Sequence, residues 1–405
     1  MNILGINGAL GWDGNIADPQ FISGMGLDFW VHGSGATLFI DGKLMGAICE
    51  ERMTRRKYDG NYPEHGIKKL LNKNNLKESD IDIVGFVTNP VLFGQSLKKT
   101  GYLEQKLKSI FKNSEVIFVD HHKSHACATF LTSGFDNANI FTFDGAGDYH
   151  TIDNEEFPNN SSLYVGDFNA KSINHIRSYY LKSHFDGLDE NPFGMVYSMY
   201  SWLIYNWKQQ GIDTSKYKPP TPESRESYPG KIMGLSAYGD HHNVNLPDIF
   251  ELFKFPDSPV IMGNFNHPHN RLMQYGVSTE DLSQFNCTPE DLASWLQQQF
   301  EKYVLFYFSN IPDEIKQDKL CLGGGCALNI ITNSRLIEEG IFEDVHVNTA
   351  PNDDGLGFGA AIYLAFQNEK ELILPENIGC IGFDYDNDVV EDCLTEFDME
   401  EVDEI

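Results

Sequence analysis

The run ATLFIDGKLMGAICEER, residues 36–52, decides the fold class. Two apolar stretches meet at Asp41-Gly42, a pair that tolerates the positive φ of a tight hairpin turn. The strands on either side should therefore be antiparallel neighbours. Working outward, residues 2–7 read as a strand ahead of the hairpin. Beyond it come a helix at 65–74, a strand at 81–87, a helix at about 97–111, and the strand EVIFVD ending at Asp120. A hairpin followed by helices alternating with buried strands predicts a mixed α/β sheet with helices on its faces.

The pattern then restarts. ANIFTFDGAGDYHT (138–151) and SSLYVGDFNA (161–170) read as neighbouring strands with glycine turns. An aromatic helix at 193–207, a polar Pro-containing segment at 209–228 and a long helix at about 280–308 follow. KLCLGGG (319–325) is a buried strand running into glycines, and DVHVNTA (344–350) is a strand feeding a helix at 356–366. The order predicts two α/β lobes of related design with a cleft between them, at 1–135 and 136–380, then an acidic tail at 381–405. No sequence period accompanies this structural repeat.

Composition limits the class. With 405 residues, 41% hydrophobic and 22% charged, the chain can bury a large core and reads as a soluble globular protein. It has no run of about eighteen apolar residues, so no membrane span is expected. MNILGING lacks a basic n-region and a long apolar stretch, so no secretory signal is expected either. The seven cysteines, at 49, 127, 287, 321, 326, 380 and 393, form no CxxC pair, which suggests a reduced, cytoplasmic protein. The net charge of −29 means that a phosphate-rich partner must meet a local basic patch. Lysines with interleaved aromatics at 98–112 and 208–231 are the candidates, although a solvated helix face explains the first equally well. From 384 to 405 there are eleven acidic residues and no Lys or Arg, a solvated tail or an arm for a basic partner.

Five clusters carry possible chemistry. In VDHHKSHACA a helix begins after Asp120, so His121 and His125 fall one turn apart on one face. That spacing suits two imidazoles on one divalent metal, with a carboxylate still required from elsewhere. An alternative is that these histidines cap the strand-to-helix turn. In FTFDGAGDYHT, Asp144, Gly145 and Gly147 stand at a turn where bare amides can approach an anion, and Asp144 or Asp148 can hold a cation or water. CLGGGCALN sets Gly323, Gly324 and Gly325 at a helix start near Ala327, an anion cradle to which Asn329 adds a side chain. NTAPNDDGLGFGAA offers Asp353 and Asp354 at a strand-to-helix junction, as an N-cap or as the acidic metal ligand. GKIMGLSAYG places Lys231 beside a small-residue turn.

These motifs, together with VHGSGATLFIDGKLMGAICEERMTRRKYDGNYP, occur in the order that characterises the carbamoyltransferases of antibiotic and nodulation-factor biosynthesis, which the chain resembles from Met1 to about Leu394. That family is similar in its N-terminal lobe to the tRNA threonylcarbamoyl-transfer enzymes. The resemblance implies a two-lobed, duplicated actin, sugar-kinase and heat-shock-ATPase-like (ribonuclease H-like) fold with a central cleft.

It also implies a metal (Fe, Mn, Zn or Mg) held by His121, His125 and Asp353. A nucleotide would have its phosphates near Gly323–Gly325 and the Asp144–Gly147 turn, with Lys231 nearby. His32 matches the family histidine near the transferred group, and Arg52, Arg55 and Lys57 fall in its basic stretch. ATP and carbamoyl phosphate are the implied co-substrates, and an acceptor hydroxyl on a small molecule, a nucleoside or hydroxymethylated DNA receives the carbamoyl group.

Two departures stand out. Gly33 replaces an aspartate after His32. The second, carbamoyl-adenylate-forming domain of the family has no counterpart in the sequence: either a separate activation-domain subunit supplies that step, or the sequence is a fragment, or the chain performs a different half-reaction. A nucleotide-binding regulatory subunit and an ATPase or kinase of the same superfamily are the alternative functions. A homo-oligomer is a further possibility.

Overall fold

Asp41 and Gly42 turn the chain with φ of 50° and 78°, and β2 (Gly35–Ile40) pairs antiparallel with β3 (Lys43–Cys49) around them. The structure is a computed structural model that describes residues 1–10, 32–88, 101–145, 147–152, 155–180, 193–213, 216–217, 222–246, 286–379 and 381. The acidic run 384–405, Cys380, Cys393 and residues 97–100 and 280–285 lie outside the described residues.

β1 (Asn2–Asn7) pairs antiparallel with β2 on one side and parallel with β4 (Ile83–Val87) on the other. β5 (Glu115–Val119) adds a further parallel strand, giving the order β3-β2-β1-β4-β5. The second sheet repeats this plan. Its first strand, β6 (Asn137–Phe143), pairs antiparallel with β8 (Glu155–Asp167), which pairs antiparallel with β9 (Ser172–Tyr180). On its other side β6 is parallel to β10 (Lys319–Gly323), which is parallel to β11 (Asp344–Val347). Setting aside the short β7 (Tyr149–Ile152) on β8, the two orders are the same. The fold is the duplicated, ribonuclease H-like arrangement expected above.

Each half ends in a helix that packs against the other half. After β5 comes α4 (His121–Phe130), which lies on β6, β8 and β10 of the second sheet. After β11 comes α9 (Leu356–Asn368), which lies on β1, β2 and β4 of the first. Both helices are buried on nearly all sides, and they pack on each other. Helices buried on nearly every side belong to a core, and this one joins the two sheets through Ile3, Val119, Phe130, Ile140, Phe358 and Ile362. The approach is closer than side chains allow. A Cβ on Gly5 of β1 would stand 2.1 Å from the Gly357 carbonyl oxygen, and one on Gly359 would stand 2.0 Å from that of Ser124.

The remaining helices cover the outer faces. α1 (Glu50–Thr54) and α2 (Glu64–Lys73) follow β3, and the buried carboxylate of Glu50 accepts the first free amides of α2 from His65 (3.1 Å) and Gly66 (2.9 Å). α3 (Tyr102–Ile110) buries Leu103 and Leu107 beneath the first sheet. α5 (Phe193–Gln210), α6 (Pro222–Leu235) and α7 (Pro289–Ser309) form the aromatic core of the second half, and α8 (Ile330–Glu338) links β10 to β11.

The polar Pro-containing segment at 209–228 takes in the start of α6, which continues through Pro229. The long helix starts at Pro289, not near 280: Thr288 Oγ1 accepts the Asp291 amide (3.1 Å) while Asp291 accepts that of Thr288 (3.0 Å), a reciprocal cap that fixes the first turn. No helix among the described residues is long and apolar enough to cross a membrane.

Candidate metal centre

β5 delivers Asp120 to the N-cap of α4, where its Oδ1 accepts the Lys123 amide at 2.9 Å. The helix therefore begins at His121, and 3.6-residue periodicity brings His121 and His125 to one face with their Nε2 atoms 3.2 Å apart. His122 points elsewhere. Its Nε2 lies 3.1 Å from the Asn159 carbonyl oxygen, which only accepts, so Nε2 carries the proton and Nδ1 accepts from the Thr142 hydroxyl at 2.8 Å. Burial, and then the neighbouring His121, push its pKa down to about 3. His122 is thus a neutral anchor of α4 on the second sheet.

Two carboxylates complete the group. Asp353 opens a single 3-10 turn, Asp353–Gly355, just before α9. Its backbone is held by the Asn7 side chain at the end of β1, which donates to the carbonyl oxygens of Asp353 (3.1 Å) and Gly33 (2.8 Å). Asp144 follows the last residue of β6. Asp144 Oδ2 lies 3.6 and 3.3 Å from the Nε2 atoms of His121 and His125, and Asp353 Oδ1 lies 3.5 Å from both. The sequence offered Asp144 as a residue able to hold a cation or water, but not as a fourth donor beside His121, His125 and Asp353.

These residues fit a metal ion. Four donors placed tetrahedrally at about 2.1 Å from an ion stand about 3.4 Å apart, and the five separations that involve an imidazole run from 3.2 to 3.6 Å. Both histidines are buried, and Asp144 Oδ2 is buried with no hydrogen-bond partner among the described residues. Burial pushes the His125 pKa down, but the Asp144 and Asp353 carboxylates beside it outweigh that and raise it to about 9. Burial opposes ionisation of Asp144 as well, and the two imidazoles overcome it and hold the carboxyl well below its usual range. The pair of carboxylates asks for a cation at this point.

His32 reaches the same place, with Nε2 3.6 Å from Asp353 Oδ2. The other candidate residues are distributed differently. Arg52, Arg55 and Lys57 are exposed on and after α1, and Arg52 lies beside Glu51. Lys231 is exposed on α6, with Nζ 5.0 and 5.3 Å from the ring centres of Tyr205 and Tyr228, so the turn expected around it is helix instead. Gly145 donates its amide to Asp144 Oδ1 at 2.6 Å, and a Cβ on Gly147 would stand 2.4 Å from the His122 ring.

The triple glycine is not a helix N-terminus. It leads into one 3-10 turn, Gly325–Leu328, and α8 starts only at Ile330. Gly324 alone has positive φ (89°), and its amide donates to the Pro351 carbonyl oxygen at 2.7 Å. Gly323 and Gly325 serve close approach instead, with Cβ positions 3.1 Å from the His125 oxygen and from Asp144 Oδ1. Asn329, expected to reach an anion, is the N-cap of α8. Its Oδ1 accepts the Thr332 amide (3.1 Å), and its Nδ2 donates to Gln297 (2.9 Å).

The sequence model of the family described as "Carbamoyltransferase N-terminus" matches residues 23–109 and 92–362. The chain belongs to the carbamoyltransferase family. Among curated relatives, this carbamoyltransferase-family chain is 26% identical over 397 residues to an uncharacterized protein of Synechocystis sp., covering 87% of this chain and 59% of that one. It is 24% identical over 356 residues to the nodulation protein NolNO of Sinorhizobium fredii, covering 83% and 46%. The chain thus spans about half to three fifths of the length of these relatives.

Among solved structures, full-length HypF in a phosphate- and nucleotide-bound form aligns at 13% identity with a TM-score of 0.44, over 85% of this chain and 56% of that one. Component A of (R)-2-hydroxyglutaryl-CoA dehydratase from Acidaminococcus fermentans aligns at 13% identity and 0.44, over 91% and 98%.

Proposed function

We propose that this chain performs the transfer half of an O-carbamoyltransferase reaction, at a divalent metal held by His121, His125, Asp144 and Asp353. The observation that carries the reading is this buried quartet, whose donor spacing suits one ion. Two imidazoles with two carboxylates favour Fe, Mn or Zn over Mg, which prefers oxygen and water. The bound ion would supply Lewis-acid polarisation of a carbonyl or phosphate oxygen.

The chain's own groups account for the rest. The acceptor oxygen bonds to the carbamoyl carbon as the bond to the adenylate oxygen breaks, and AMP leaves with the electron pair. His32 Nε2, held beside Asp353, takes the hydroxyl proton. The turns at Asp144–Gly145 and Gly323–Gly325, which meet beside the quartet, are taken to lie near the nucleotide phosphates. Carbamoyl-adenylate, made from carbamoyl phosphate and ATP, is the carbamoyl donor.

The test pairs metal analysis of the purified chain with a transfer assay. Carbamoyl phosphate, ATP and metal are supplied, with and without a carbamoyl-adenylate-forming domain, to hydroxylated small molecules and hydroxymethylated DNA. Product is read by mass as one added carbamoyl group. His121→Ala and His125→Ala should each abolish both bound metal and turnover, and retention of either defeats the proposal. ATP hydrolysis with no need for carbamoyl phosphate would favour an ATPase instead.

A further inference from the structure

We propose that Asp148 is a positioning residue, locking the helix that carries His121 and His125 against the turn that carries Asp144. The inference rests on the metal reading above. Asp144 and Asp148 stand at the two ends of one turn between β6 and β7, so whatever fixes one end constrains the other. Asp148 is 3% exposed, and its side chain leaves its own sheet for the first half of the molecule. There Oδ2 accepts two hydrogen bonds. One comes from the Thr88 hydroxyl at 2.5 Å, at the end of β4, and the other from the His121 amide at 3.2 Å, the first N–H of α4.

Thr88 is itself tied to β5 by its amide, which donates to the Val119 carbonyl oxygen at 3.1 Å. Backbone bonds between Asp148 and Asn159 hold the turn to β8. One buried carboxyl therefore joins the ends of β4 and α4 to the turn that presents Asp144. The distance between Asp144 and the two imidazoles is set through it.

The chemistry of the bonds predicts which substitute works. Two donors meet Oδ2, so the position calls for an acceptor oxygen there. An asparagine keeps a carbonyl oxygen in that place, and an alanine removes it. Asp148→Asn should therefore keep the geometry, and Asp148→Ala should lose it. Outer-shell partners of metal ligands are typically worth about 10–100-fold in affinity.

The experiment titrates the full chain with Co2+ alone, reading affinity and the visible d–d spectrum, beside an unfolding curve for each variant. We expect Asp148→Ala to bind Co2+ about 10–100-fold more weakly with an altered spectrum. Asp148→Asn should stay within about threefold of the parent, and Thr88→Val, which deletes one donor and keeps the packing, should fall between them. A cooperatively folded Asp148→Ala that binds Co2+ like the parent overturns the proposal. So does an Asp148→Asn as weak as the alanine variant. Should Asp148→Ala fail to fold, an unchanged Thr88→Val overturns it. A parent chain that binds no Co2+ removes the metal reading itself, a different failure from a parent that binds beside indifferent variants.

Discussion

Gly359→Ala sets two physical effects against each other. In a helix interior the substitution should stabilise by about 1 kcal/mol, because alanine loses less backbone entropy. Here the new methyl would stand 2.0 Å from the Ser124 carbonyl oxygen, about 1.4 Å inside ordinary van der Waals contact. That oxygen belongs to the backbone of α4, which cannot rotate away as a side-chain tip can. Overpacking of a core costs about 1–3 kcal/mol, and a rigid wall argues for the upper end, so packing wins and the variant loses about 2 kcal/mol net.

The consequence extends to the quartet, because α4 carries His121 and His125 while Asp353 leads directly into α9. Separating the helices by even part of that deficit exceeds the tolerance of metal–ligand distances, about 0.2 Å. Urea unfolding at constant m-value gives the stability change, and Co2+ titration gives the affinity. A Gly359→Ala chain as stable as its parent, or more so, would refute the helix contact on which the fold description rests.

Three other predictions follow from single contacts. Asp144→Ala should weaken metal binding more than any outer-shell change, beyond about 100-fold, and a metal analysis showing undiminished content would remove Asp144 from the donor set. His122 has a folded pKa of about 3 against an ordinary 6.5, so as pH falls below 6.5 only the unfolded chain takes up the proton and stability is lost down to pH 3. Between pH 6.5 and 5 this amounts to about 2 kcal/mol, and His122→Asn should flatten that slope in urea unfolding; parallel slopes would contradict it. Thr288→Ala should cost about 1 kcal/mol by uncapping α7, and an unchanged melting midpoint would show that the cap is redundant.

Much of this was legible where local chemistry decides. Asp41-Gly42 can hardly do anything but turn, and Asp120 before His121 signals a helix start that puts two histidines on one face. Asp144 was harder to read as a donor, because its position depends on β6 lying beside β10 and under α4, contacts between residues far apart in sequence. The glycines at 323–325 looked like an anion cradle, since sequence cannot separate a glycine needed for positive φ from one needed to let His125 or Asp144 come close. α6 was hidden by its composition: PESRESYPG is a poor helix former, and packing against α5 and α7 overrides the propensity. The crossing of α4 and α9 leaves no sequence period at all.

That crossing also sets a timetable. The histidines and Asp353 are separated by about 230 residues of chain, and they meet only once both terminal helices of the two halves exist. At a synthesis rate of about 5–20 residues per second, His121 leaves the ribosome roughly ten to fifty seconds before Asp353. In that interval the nascent chain offers at most a pair of imidazoles and Asp144, a weak and unselective grip. On the metal reading proposed above, the ion would therefore be chosen only after Asp353 has joined the histidines, by the pool that the folded quartet meets.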